Sequence, residues 1–206
     1  MGFSSLIDIV GSIIIGGFLL ILLWRIDDAA IQSTYNNTQE LILQENLATS
    51  AMILENDFRR IGYCKNYSLI ATTDAIISAT DTSISFKTDV NDAGVVNTLN
   101  YYVGPSSELA STPNPRDRFL YRVVDSETPV GVNLGITQFK LVYFDQLGDT
   151  IPFPITDPTL IASMEINIAV ENVIGYGGSS EEEEANKYSS AFWRQIRLAA
   201  KNLQNR

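Results

Sequence analysis

Residues 3–24 read FSSLIDIVGSIIIGGFLLILLW, an almost wholly apolar run near the start of the chain. About 20 consecutive apolar residues are enough for an α-helix to cross a bilayer. The run is too long for the apolar core of a signal peptide. No basic region precedes it, and Trp24 and Arg25 follow it where a cleavage site would carry small residues. A buried core helix would be shorter and have a polar side. We therefore predict a membrane-spanning helix that stays in the mature protein.

One charged residue, Asp8, interrupts this run. A carboxylate inside a membrane is costly and usually indicates a function. The alternative is that Asp8 lies at the level of the lipid headgroups, where the cost is small. Gly11, Gly16 and Gly17 also lie in the run, where they indicate either close helix–helix packing or a local loosening of the helix.

The stretch from Asp27 to Ile61 contains no proline and no glycine. Its apolar residues recur at the spacings of one helix face, which are three, four or seven positions. The residues on this face are Leu43, Leu47, Leu54, Phe58 and Ile61. Gly62 is placed to end the helix. The pattern predicts one continuous helix of roughly 55 to 60 residues, whose second half has an apolar stripe that a sheet would cover.

After Cys64 the hydrophobic period changes to two, which is typical of antiparallel strands with one buried face. The alternating residues are Ile84 and Phe86; Leu99, Tyr101 and Val103; Phe119, Tyr121 and Val123; Phe139, Leu141 and Tyr143; Met164, Ile166, Ile168 and Val170; and Phe192, Ile196 and Leu198. The predicted organisation is a hydrophobic transmembrane or filament-core helix at 1–25, an amphipathic helix continuation at 26–62 and a β-rich globular domain at 63–206. The fold class is α+β, with the long helix packed on an antiparallel β-sheet.

Composition argues against several classes of function. The formal net charge of −10 does not suit a nucleic-acid partner, because phosphate binding needs clustered Lys and Arg. The chain has no histidine and one cysteine, which excludes most zinc sites, Ser-His-Asp chemistry and an internal disulfide. We therefore expect no enzyme activity, no catalytic residues, no metal and no cofactor. The acidic run Glu181 to Glu184 is interpreted as a solvated loop in preference to a cation or partner site.

Several short strings together indicate a family. Gly2-Phe3-Ser4-Ser5-Leu6-Ile7-Asp8 resembles the prepilin motif, in which a glycine precedes a phenylalanine and a short run leads to an acidic residue. The string from Asp57 to Cys64, DFRRIGYC, is similar to the helix end of larger minor pilins. LYR at 120–122, LGITQF at 134–139, LVY at 141–143 and KNL at 201–203 fit the same group. The chain thus resembles the type IV pilin superfamily, and within it the PilW-like minor pilins and the pseudopilins of type II secretion.

The resemblance implies a structural subunit of a type IV pilus-like or pseudopilus filament, assembled through its N-terminal helix. It implies removal of Met1-Gly2 before Phe3 by a prepilin peptidase, and pairing of Asp8 with the N-terminal amine of a neighbouring subunit. Counted from Phe3, the family's acidic position falls on Ile7, one residue before Asp8. The implied partners are other pilin or pseudopilin subunits and the inner membrane, and the implied location is the membrane and then an extracellular or periplasmic filament. The alternative is a single-pass membrane-anchored exported β-domain that binds a ligand or partner without forming a filament.

Overall fold

The computed structural model describes residues 2–172, 188 and 192–198. Its first element, α1, spans Gly2–Arg59 and contains 58 residues. This confirms the predicted continuous helix, which no proline interrupts. At its end the N–H groups of Arg60 and Ile61 bond to carbonyls only three residues back, which tightens the last turn. Gly62 follows with φ of 72°, a left-handed conformation that suits glycine at a helix end.

The chain forms two compact units, Met1–Leu41 and Ile42–Arg206. The first unit consists of the N-terminal part of α1. The second unit holds the remainder of α1 and every strand in the described part of the chain. The predicted domain limits at residues 25 and 62 mark changes in composition and stay a prediction.

The strands of the second unit form one seven-stranded antiparallel sheet in which the spatial order is the chain order. The strands are β1 Ile76–Ala79, β2 Ser83–Thr88, β3 Asn97–Val103, β4 Arg118–Val124, β5 Val130–Phe144, β6 Ser163–Val170 and β7 Phe192–Leu198. Short 3-10 turns lie at Thr72–Asp74, Ser106–Leu109 and Pro158–Leu160. The predicted α+β fold is confirmed.

Strand β1 is absent from the series predicted from alternation. Its pairing with β2 shifts between Ile76 and Ser78, so Ile76 and Ala79 are buried while Ile77 and Ser78 are exposed. An irregularity of this kind breaks the period of two on which strand prediction depends.

The core lies between the second half of α1 and the inner face of the sheet. The predicted helix stripe is confirmed, because all of its members are buried or partly buried against the core. The ring of Phe58 lies 5.6 Å from that of Phe86 and 5.3 Å from that of Tyr101, measured between centroids. Burying one large apolar side chain contributes roughly 1.5–3 kcal/mol, so this stripe is a main source of stability.

One strand presents a different face from the one predicted. In β4 the buried side chain is Leu120, while Phe119, Tyr121 and Val123 are only half-buried. The aromatic residues are covered on the other face of the sheet, where Tyr121 stacks on Tyr102 with centroids 4.9 Å apart. Alternation alone cannot assign the faces when both carry apolar groups.

A polar link joins α1 to the sheet. The Asp57 carboxylate at the helix end accepts hydrogen bonds from the Tyr101 hydroxyl at 2.5 Å and the Arg122 Nε at 2.7 Å. Arg122 extends from the same face of β4 as Leu120 and therefore reaches this buried carboxylate. The link satisfies charges that would otherwise be costly beside an apolar core.

The acidic run Glu181 to Glu184 and the string at 201–203 lie outside the described residues.

Candidate assembly surface of the N-terminal helix

The first unit has an apolar helical surface that no described residue buries. Large apolar side chains between Leu6 and Ile26 are exposed on every side of the helix, and the exposed fraction reaches 68% at Leu20 and Trp24. From Ile13 to Leu23 only Gly16 and Gly17 interrupt the apolar residues, so this part of the helix has no polar face. A surface of this size and uniformity on a soluble protein indicates a partner or a membrane.

The structure contains one helix, among the residues described, that is long and apolar enough to cross a membrane. Its most apolar 18-residue window has a mean hydropathy of 2.6, and none of that window is buried. This differs from the core helix of a soluble protein, which is mostly covered by its own fold. A signal sequence near an N-terminus also satisfies this criterion of length and composition, although its apolar core is usually shorter.

Asp8 lies on this surface and is exposed. Its backbone carbonyl accepts a hydrogen bond from the Ser12 hydroxyl at 2.7 Å. Its carboxylate makes no ion pair or hydrogen bond with any residue in the described part of the chain. In an apolar medium this charge needs a cation or several donors, and these must come from outside the described residues.

The residues predicted for assembly fall within a short stretch of helix. Gly2 and Phe3 belong to the first turn of α1, and Asp8 lies between one and two turns further on. Cleavage of the chain before Phe3 stays a prediction.

Asp8 shares a helix face with small residues at spacings of three and four. We name this the small-residue face and define it as Asp8, Gly11, Ser12 and Gly16. A Cβ atom built on Gly11 or Gly16 meets nothing within 4 Å, so the fold of this chain does not require glycine there. Small residues at these spacings let a second helix backbone approach closely. The sequence alone already shows the spacing of Ser12 and Gly16 from Asp8.

The second half of α1 also has an outward side that the sheet does not cover. Met52 is 67% exposed, and Leu41, Ile42 and Ile53 are exposed as well. Further along the helix, Arg59 donates to Glu55 at 2.6 Å in a surface pair one turn apart. Sequence periodicity did not single out this patch, because the stripe facing the sheet is more regular.

The described residues offer no group of three or more His, Cys, Asp or Glu side chains that could hold a metal ion. The one cysteine, Cys64, is buried, with its thiol 3.9 Å from a carboxylate oxygen of Asp89. Asp89 itself caps a turn. Burial disfavours the charged form of its carboxyl, but three backbone N–H donors, from Gly94, Lys65 and Ala93, hold its pKa below the usual value. This carboxylate is therefore explained by the fold.

No protein-family model matches the sequence, and comparison with curated proteins finds no significant match.

Proposed function

We propose that this chain is a structural subunit of a type IV pilus-like or pseudopilus filament, of the minor-pilin or pseudopilin kind, and that it assembles through α1. The observation that carries this proposal is a helix that is apolar on all sides, has none of its most apolar window buried, and holds one carboxylate without a partner among the described residues. Lipid covers such a helix before assembly. Copies of the same helix cover it afterwards.

The charge on Asp8 provides a specific contact between subunits in the proposed assembly. Inside a bundle of apolar helices, a lone carboxylate is strongly disfavoured unless a cation lies beside it. A free α-amine on a neighbouring subunit supplies that cation and a hydrogen-bond donor together. In this proposal a prepilin peptidase exposes the amine of Phe3, and subunits leave the inner membrane for an extracellular or periplasmic filament.

The test compares Asp8→Ala with Asp28→Ala, which removes a carboxylate just beyond the apolar run. Asp8→Ala should abolish incorporation into filaments seen by electron microscopy of sheared surface fractions, and Asp28→Ala should not. Circular dichroism of both purified variants should match that of the wild type, because neither side chain supports the core. Normal assembly of the Asp8→Ala variant would contradict the proposal. N-terminal sequencing of the mature protein should begin at Phe3.

The alternative is a single-pass anchored domain that binds a ligand and forms no filament. It rests on a groove of about 620 Å³ beside β1, lined in part by Ile77, Phe153 and Ile155. Ile77 and Phe153 are both exposed there. Chemical crosslinking in intact membranes separates the two functions: a ladder of self-crosslinked species through α1 supports the filament, and monomers alone support the anchored domain.

A further inference from the structure

The sheet has a gap beside the middle of β5. Pairing between β4 and β5 reaches Ile136, which is opposite Arg118, and does not continue past it. Further along β5, the N–H of Leu141 bonds instead to the carbonyl of Asp81 in the β1–β2 turn, at 2.8 Å. The space between these two points is a cavity of about 250 Å³. The polar residues that line it are Thr82, Arg118, Thr137, Gln138 and Lys140.

The cavity concentrates positive charge in an acidic protein. The chain has 24 Asp and Glu residues against 14 Lys and Arg residues, yet none of the described residues that line this cavity is acidic. Elsewhere in the described residues, four arginines make ion pairs with carboxylates. Arg118 and Lys140 make no ion pair with any described residue. Two uncompensated cations at one concave site attract an anion.

One residue that lines the cavity has a hydroxyl group without a partner among the described residues. Thr137 lies where the β5–β6 register shifts, between Ile136 and Gln138. Its Oγ1 is buried and makes no hydrogen bond within the described part of the chain. A buried polar atom left unpaired costs free energy and usually marks a missing partner.

The backbone adds a further donor. The N–H of Leu141 points away from β6, towards Asp81. Because the N–H groups of an antiparallel strand alternate in direction, the N–H of Phe139 points to the same side, which is the side of the cavity.

We infer that this cavity binds a small oxyanion, such as a carboxylate or a phosphate. A guanidinium, an ammonium, a hydroxyl and a backbone N–H are all donors, and oxyanions accept from all four. The same chemistry has two sources: a free anion in solution, or an Asp or Glu side chain of a second copy of this acidic chain. The site lies wholly in the second unit and does not depend on the filament proposed above.

The first test uses the full-length chain in detergent micelles. Sodium phosphate replaces sodium chloride at constant ionic strength, and the melting temperature of the sheet is followed by circular dichroism. Saturating phosphate should raise the melting temperature by about 2–4 °C, because a ligand that binds only the folded state stabilises it. Arg118→Gln and Lys140→Gln should abolish this rise. Lys65→Gln, which removes an exposed cation outside the cavity, should keep it.

A further variant separates anion binding from a structural role. Thr137→Val removes the unpartnered hydroxyl, so it should weaken the response to phosphate without lowering the melting temperature in chloride. A variant that merely damaged the fold would lower both the response to phosphate and the melting temperature in chloride.

The second test identifies the source of the anion. A carbodiimide, which joins lysine amines to adjacent carboxylates, is applied to assembled protein and the products are read by mass spectrometry. A crosslink from Lys140 to an acidic residue of another copy supports a side-chain anion if phosphate suppresses it. A phosphate response without that crosslink supports a free anion. Absence of both an Arg118-dependent phosphate response and a phosphate-sensitive crosslink at Lys140 overturns the inference.

Discussion

Arg122 on β4 donates its Nε–H to the carboxylate of Asp57, 2.7 Å away, and so connects the middle of the sheet to the last turn of α1. Burial disfavours the charged guanidinium, but the adjacent carboxylate outweighs burial, and the pKa of Arg122 is raised. Burial and the same carboxylate raise the pKa of Tyr101, which therefore keeps the proton that it donates to Asp57. The three groups act together, and loss of one leaves the others unsatisfied.

Replacing Arg122 by Met should destabilise the second unit by about 2–4 kcal/mol, because the Asp57 carboxylate then remains largely buried without its cation. Tyr101→Phe should cost about 1–2 kcal/mol, since it removes the hydroxyl that donates to the Asp57 carboxylate and accepts from the Arg122 Nε. Urea denaturation followed by circular dichroism measures both changes. Arg59→Met is the matched control: its partner Glu55 is on the surface, so the cost should stay below about 1 kcal/mol. Equal costs for Arg122 and Arg59 would show that burial of the link is unimportant.

Gly131→Ala should destabilise the sheet by about 1–3 kcal/mol. A Cβ at Gly131 would lie 2.8 Å from Cε1 of Tyr121 and 3.0 Å from Cγ of Phe119, so these rings would have to move. The control is Gly16→Ala, where a Cβ meets nothing. The denaturation midpoint of the second unit should fall for Gly131→Ala and remain unchanged for Gly16→Ala.

Asp117 should make the protein more stable in mildly acidic solution. Both of its carboxylate oxygens are buried without a hydrogen-bond partner among the described residues. Burial raises the pKa of Asp117 to about 6; the Thr112 hydroxyl acts against this, and the charge of Glu171 adds to it. Glu171 is itself paired with Arg116 at 2.8 Å. The pKa of Asp117 is higher in the folded protein than in the unfolded chain. The stability that its protonation contributes is therefore complete below about pH 4 and is lost as the pH rises through about 6.

The matching variant is Asp117→Asn, which cannot ionise. It should be more stable than the wild type at pH 7, by about 1–2 kcal/mol, and the difference should shrink towards pH 4. Urea denaturation across this pH range measures the difference in stability. Asp125→Asn, at an exposed turn, is the control. A constant difference between the Asp117→Asn variant and the wild type would show that Asp117 does not titrate in this window.

Substitution of Gly11 by Leu should prevent assembly while leaving the monomer intact. Apart from the adjoining helix backbone, no described residue comes within 4 Å of a Cβ at this position, so the folded monomer has room for the larger side chain. On the small-residue face, leucine would hold a neighbouring helix away from Asp8. Gly17→Leu, on another side of the helix, should have the smaller effect. Filament yield after shearing gives the comparison, and equal yields for the two variants would contradict a specific role of this face.

The sequence was sufficient for the features that repeat regularly. The stripe from Leu43 to Ile61 and the alternation along β2, β3, β5 and β6 each follow one simple period, because each element buries one face against the same core. The long helix was predictable for a related reason: nothing between Asp27 and Ile61 stops a helix. Asp8 was recognisable as the one charge in an apolar run.

The remaining features depend on contacts between distant residues. The partner of Asp57 lies 65 positions away at Arg122, and no local pattern indicates it. The aromatic side chains of β4 find their contacts on the face of the sheet that lies away from the core. Tyr121 stacks there on Tyr102, and the rings of Phe119 and Tyr121 lie close to Gly131, which has no side chain. The cavity with Arg118 and Lys140 lies where the pairing of β4 with β5 ends, and the length of that pairing is not visible in the hydrophobic period of either strand.

The sheet order has a consequence for how the protein folds. Every strand pairs with its neighbour in the chain, so each hairpin can form as soon as its second strand is available, and such local contacts favour fast folding. The slow step is then the closure of the long loops that bring Tyr101 and Arg122, 44 and 65 residues downstream, onto Asp57. We expect the helix end to be captured after β3 and β4 have paired, so that the hairpins of the sheet form before the core is complete.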